Sequence, residues 1–132
     1  MIENPHKYVL KTNSVYFDKY IPENKYREIV AKSDVIINPI RLKNYKFGGL
    51  CSGVVESIIW AIPGVYPNGY EIVNELLSSS LFYDDTKELV KTIYQLVVNT
   101  DQLKYLKNQA LKNSKKFDIK IQEKQLINFI ND

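Results

Sequence analysis

Four short runs rich in β-branched and aromatic residues punctuate the chain, and each is followed by a stretch with helical spacing. The runs are SVYFDKY at 14–20, DVIINPI at 34–40, IPGVYPNG at 62–69 and SSSLFYD at 78–84. A strand that hands over to a helix, time after time, needs a parallel neighbour, because only a crossover connection returns the chain to the same sheet edge. The alternation therefore predicts an α/β fold, a parallel sheet with helices on both faces. Within 34–40, Val35, Ile36 and Ile37 form a continuous apolar run closed by Asn-Pro, the pattern of a buried parallel strand.

The helical stretches carry their own signals. IPENKYREIVAKS offers Pro22 for a helix start and places Tyr26, Ile29 and Val30 on one face. SGVVESIIWA at 52–61 reads as a helix with Ser52 as N-cap, and EIVNELL at 71–77 also reads as helical. Asp85 and Glu88 stand in capping-box register ahead of Leu89, Val90, Ile93, Leu96 and Val97. Thr100 caps a further helix carrying Leu103, Leu106 and Leu111. Asp118 opens the last one, with Ile119, Leu126, Ile127 and Ile130. The chain thus ends in a helical tail.

At 132 residues, 45% hydrophobic and 25% charged, the whole chain, 1–132, reads as a single globular domain rather than a disordered, collagenous or rod-like one. No apolar stretch is long enough for a membrane span, and the start, MIENPHKYVLK, lacks the pattern of a signal peptide, so the expected location is the cytoplasm. One Cys and one His cannot close a zinc site, and no metal is expected. The net charge of +3 is local: residues 101–132 hold seven Lys against four acids, while the rest of the chain balances. Sixteen of the 18 basic residues are Lys, which disfavours bidentate readout of DNA bases, and the scattered tyrosines form no stacking strip. No nucleic-acid partner is expected. The basic tail reads as a solvated helix face, with peripheral contact at the inner, anionic face of a membrane as the alternative.

The stretch from Asn38 to Gly69 carries the most chemistry. A strand ends, a glycine-bearing loop follows, and a helix opens on Ser52-Gly53. A helix N-terminus presents unpaired N–H groups and a positive dipole end, and at the carboxyl edge of a parallel sheet that holds phosphate. Gly53 allows close backbone approach, and the Ser52 hydroxyl adds a hydrogen bond. Glu56, one turn on, can accept from a ribose diol. The same residues also suit a plain helix start, where Glu complements the dipole. His6 reads as solvated, Cys51 and Trp60 as packing residues, and Tyr45 and Phe47 as loop packing, with stacking on a base or cover of the cleft as their alternative.

DVIINPIRLKNYKFGGLCSGVVESIIWAIPGVYPNGYEIV resembles the nucleotide-sugar-binding half of retaining GT-B glycosyltransferases, the glycosyl transferases group 1 type. There an Asp-Val strand ends in Pro, a glycine-rich loop leads into a helix bearing Glu, and a strand and a Gly…Glu turn follow. The likeness covers roughly 14–131, including the Lys-Lys-Phe before the last helix. It implies a Rossmann-like sheet, truncated at its start, with the N-terminal acceptor domain absent. It implies that Ser52, Gly53 and Val54 hold the diphosphate and that Glu56 holds the ribose. Lys19, Tyr20 and Ile21 would lie beside the nucleobase, and Gly69 and Glu71 beside the sugar and phosphates. The function implied is donor binding for a glycosyltransferase of polysaccharide or glycan biosynthesis. The partners would be a nucleotide sugar as donor substrate, with no separate cofactor, and a glycan or lipid-linked acceptor.

Hexosyl transfer would need the full-length protein. No catalytic residue is assigned within this chain, which should not transfer sugar alone. Departures from the family pattern point to a second reading, a degenerate or split, non-catalytic interaction module. Gly48 stands where a first glutamate is usual, Ala61 where a glycine is, and Gly64 where a β-branched residue is. The basic pair that clamps the diphosphate has no counterpart, unless Arg41, Lys43 or Lys46 serves. A flavodoxin-like signalling domain would need an acidic cluster at the strand ends, which Asp34 at a strand start does not supply.

Overall fold

A computed structural model describes residues 21–39 and 52–131. The predicted strand at 14–20, the loop 41–51 and residues His6, Lys19, Tyr20, Arg41, Lys43, Tyr45, Lys46, Phe47 and Cys51 lie outside the described residues. The chain divides into two units, 1–31 and 32–132. The described part of the first is helix α1, Glu23–Ala31, entered as predicted from Pro22, whose carbonyl accepts from Tyr26 N at 3.0 Å. Glu23–Arg27 and Lys25–Glu28 pairs line its exposed side, each contributing a few tenths of a kcal/mol at most, about 0.3–0.5.

The second unit is α/β. Strands β1 (Ile36–Ile37), β2 (Gly64–Pro67) and β3 (Ser80–Tyr83) form a parallel sheet in the order β1-β2-β3. Helix α2 (Ser52–Trp60) connects the first pair and a 3₁₀ helix (Asn74–Ser79) the second. Helices α3 (Thr86–Val98), α4 (Thr100–Lys116) and α5 (Ile119–Asn131) follow.

All four residues of β2 are buried, as a central strand requires. Its alternation splits the core in two. Tyr66 turns to one face, where it meets Val54 of α2, Tyr70 and Leu76 of the 3₁₀ helix. Val65 turns to the other, with Tyr83, Leu96 of α3 and Leu106 of α4. Helix α4 serves both. Leu106 sits in the second cluster, while Phe117, just past its end, packs on the first. It passes the amino ends of the strands: Lys107 pairs with Asp34 ahead of β1, and buried Asn113 donates to the Ser78 and Ser79 hydroxyls ahead of β3, each at 3.0 Å.

Tyr66 also accounts for Gly64. Both point to the same face of β2, and the tyrosine ring folds back over the glycine. A Cβ there would overlap the Tyr66 ring and hydroxyl. The hydroxyl shares a 2.8 Å hydrogen bond with Ser57 of α2, and the ring stacks on Tyr70 at 5.9 Å. One large residue thus replaces the β-branched one expected two positions earlier.

Several sequence expectations shift. The strand predicted at 34–40 shortens to two residues, and Ile37 is 38% exposed rather than buried. Pro39 has no N–H for a ladder, and among the described residues β1 has β2 alone as neighbour. The helix predicted at 71–77 becomes the later 3₁₀ turn. Val73 offers no side-chain cap, and the Ser79 and Ser80 hydroxyls both bond to Leu76 O, competing with helix propagation. Ser52 lies inside α2 rather than capping it. Asn99, not Thr100, caps α4, its side chain accepting from Gln102 N at 3.0 Å. Asp85 caps α3 as expected, accepting from Glu88 N at 2.9 Å. The Glu88 carboxylate reaches back to Asp84 N rather than to the cap residue's own N–H. Val90, Val97 and Leu111 are exposed, whereas Leu96 and Leu106 are core.

Candidate functional site

The carboxyl edge of the sheet gathers Asn38 after β1, the Asn68-Gly69 turn after β2 and Asp84 after β3. The N-terminus of α2 arrives at the same edge, because Gly53 lies against the Asn38 side chain. Ser52 is exposed there and Gly53 half-buried. Val54 is fully buried in the core, so only its backbone is left to meet a ligand. Glu56 sits one turn into the helix, half-buried, and its Oε2 is buried with no hydrogen-bond partner. An ionised carboxylate oxygen that is both dry and unbonded is costly, on the order of 1–3 kcal/mol or more.

Gly69 has a φ of 78° and stands third in a turn closed by Tyr70 N to Pro67 O at 3.1 Å. That positive φ is what a type II turn asks of its third residue, and glycine meets it without strain. Glu71 follows in irregular backbone and is exposed. It is not at a helix start, because the 3₁₀ helix opens only at Asn74. Ile21 belongs to the first unit, half-buried just before α1. The second unit therefore brings Ser52, Gly53, Val54 and Gly69 to one sheet edge, with Glu56 a turn behind.

Gly53 has a packing role as well. A Cβ on it would lie 3.2 Å from the Asn38 amide nitrogen, so glycine lets α2 close on the end of β1. The spacing alone suggested ligand approach at this point; the carboxamide of Asn38 takes part of that space. Asn38 is itself buried, and its main-chain carbonyl accepts from the Tyr83 hydroxyl at 2.9 Å. Burial pushes the Tyr83 phenol above its ordinary value of 10.0, so it stays a donor through the neutral range. Asn68 donates to Asp84 at 2.8 Å and its N–H bonds to Tyr83 O, which ties the ends of β2 and β3. The sequence hinted at Asn38 only as the residue closing an apolar run before a proline. The Asn68–Asp84 pair had no such signal.

Among the described residues, no three His, Cys, Asp or Glu side chains converge as a metal ion would require, and no helix is long and apolar enough to cross a membrane. Set beside known proteins, the chain has no significant match to any family model, curated protein or solved structure.

Proposed function

We propose that the carboxyl edge of this sheet binds the nucleoside diphosphate part of a nucleotide sugar, and that the chain is the donor-binding half of a glycosyltransferase acting in glycan or polysaccharide assembly. The observation that carries the reading is the buried, unpartnered Oε2 of Glu56 one turn behind the exposed start of α2. Such an oxygen calls for a donor, and a ribose diol supplies two hydroxyls. The helix N-terminus supplies N–H groups and a dipole of the right sign for the phosphates. The Gly69 turn stands at the same edge, where ligands of open parallel sheets bind.

A second reading, a non-catalytic module derived from such a half, draws on Asn38. Its carboxamide stands over Gly53, where the family likeness calls for a diphosphate. Calorimetric titration with uridine and guanosine diphosphates and their sugar conjugates separates the two. On the first reading the chain binds at least one, and Glu56→Ala weakens that binding by about 1.5–3 kcal/mol, the worth of a hydrogen bond to a charged group. The 2′-deoxy nucleotide binds the wild type more weakly but does not discriminate in the variant, since both changes remove one contact. Additive losses would remove the ribose role. Binding of none of these ligands favours the module.

A further inference from the structure

We propose that helix α5 lies on the surface of a bilayer rich in anionic lipid. The inference is independent of the nucleotide reading and rests on a different part of the chain. Every side chain described in α5 is exposed: Ile121, Gln122 and Gln125 border a pocket with Glu75 and Phe117, but no described side chain of the helix is buried. The sequence nevertheless keeps it strongly two-sided. Ile119, Leu126, Ile127 and Ile130 recur at helical spacing, and Phe129 extends the stripe to an apolar arc of about 160° at 100° per residue. Ile119 is 80% exposed, Phe129 81% and Ile130 71%, values foreign to a helix that docks on its own core.

The charge around that stripe decides between occupants. Lys120 and Lys124 stand side by side on one flank of it. Lys112, Lys115 and Lys116 continue the basic run across the junction from α4, and only Asp118 and Glu123 oppose them between 112 and 124. A second copy of the chain would bring these lysines against themselves. An anionic interface satisfies both features, taking the apolar side chains below its headgroups and the ammonium groups among its phosphates. At 13 residues, about 20 Å, α5 is too short to span a bilayer and suited to lie in its plane. Two polar residues interrupt the arc: Glu123 falls between Ile130 and Ile127 and opposes an anionic surface, while Gln122 falls between Phe129 and Leu126, its amide donating to Lys116 O at 2.8 Å.

Flotation of the 132-residue chain with vesicles tests the proposal. It floats with phosphatidylglycerol–phosphatidylcholine vesicles and stays behind with phosphatidylcholine alone. Leu126→Ser/Phe129→Ser weakens binding by at least about tenfold, because two large apolar side chains no longer enter the interface. Lys120→Gln and Lys124→Gln each cost about fivefold, the effect of one basic residue near an anionic surface. Glu123→Gln binds more tightly than wild type. Since these side chains are exposed, circular dichroism and melting temperature hold constant across the set, which separates lost binding from lost fold. Absence of flotation, equal flotation of the Leu126/Phe129 variant, or weaker binding by Glu123→Gln would each overturn the proposal. A solution dimer that Leu126→Ser/Phe129→Ser dissolves, with no flotation, would assign the face to a second copy.

Discussion

Ala61 has a φ of 53°, and it is the one non-glycine residue with positive φ among the described residues. It ends α2 in a double closure: its own N–H bonds to Ile58 O at 3.4 Å, and Ile62 N bonds to Ser57 O at 3.2 Å. A Cβ in this left-handed region costs about 1–2 kcal/mol, and glycine avoids it. The turn is thus made at an alanine and the strain accepted. Ala61→Gly is expected to raise stability by about 0.5–1 kcal/mol, the relief being partly offset by a freer unfolded chain. A urea melt checks this as a higher midpoint at unchanged slope; a lower midpoint would mean that the alanine methyl makes packing contacts worth more than the strain. Gly64 is the reverse case, a glycine demanded not by backbone conformation but by the Tyr66 ring above it.

Side chains start α3 and α4, with Asp85 and Asn99 as N-caps, and it was the succession of elements rather than every cap that was most legible in the sequence. The order of strands and helices follows from apolar runs and helical spacing, and the Asp85–Glu88 register located the start of α3. Asp85→Ala should cost about 1 kcal/mol, the usual worth of an N-cap, seen as a lower melting temperature with the fold retained. A variant as stable as wild type would show that the Glu88 bond to Asp84 N carries the helix start by itself. What stayed illegible depended on distances between elements. Nothing local tells that Ser79 and Ser80 turn back on Leu76, or that Asn38 closes over Gly53. Ser52-Gly53 and Glu56 could be placed near a sheet edge from spacing alone. The buried state of the Glu56 oxygen could not, because it depends on the surroundings that the fold builds around one atom. The same holds for α5, whose two-sidedness is written in the sequence while the exposure of all its described side chains is not.

At the scale of the molecule, a central strand divides the apolar interior of the second unit, and a late helix closes both halves. Leu106 completes the cluster around Val65, Phe117 seals the one around Tyr66, and Asn113 satisfies two serines at the foot of β3. Removing α4 takes out at least two large buried or half-buried apolar side chains, each worth about 1.5–3 kcal/mol, along with the Asn113 bonds. That is of the same order as the roughly 5–15 kcal/mol that hold a whole domain together. A chain ended after Val98 should therefore lack a cooperative thermal transition, whereas one ended after Asp118 should melt as a unit. A sharp transition in the shorter chain would mean that the sheet and α3 suffice. The polypeptide is made from its amino end, so the half around Val65 waits for residue 106, and the half around Tyr66 for residue 117, to leave the ribosome. Strands, α2 and α3 emerge first, with Val65 and Tyr66 only partly covered. For that interval the nascent chain carries apolar surface with no cover, and it is the arrival of α4 that turns an open sheet into a closed interior.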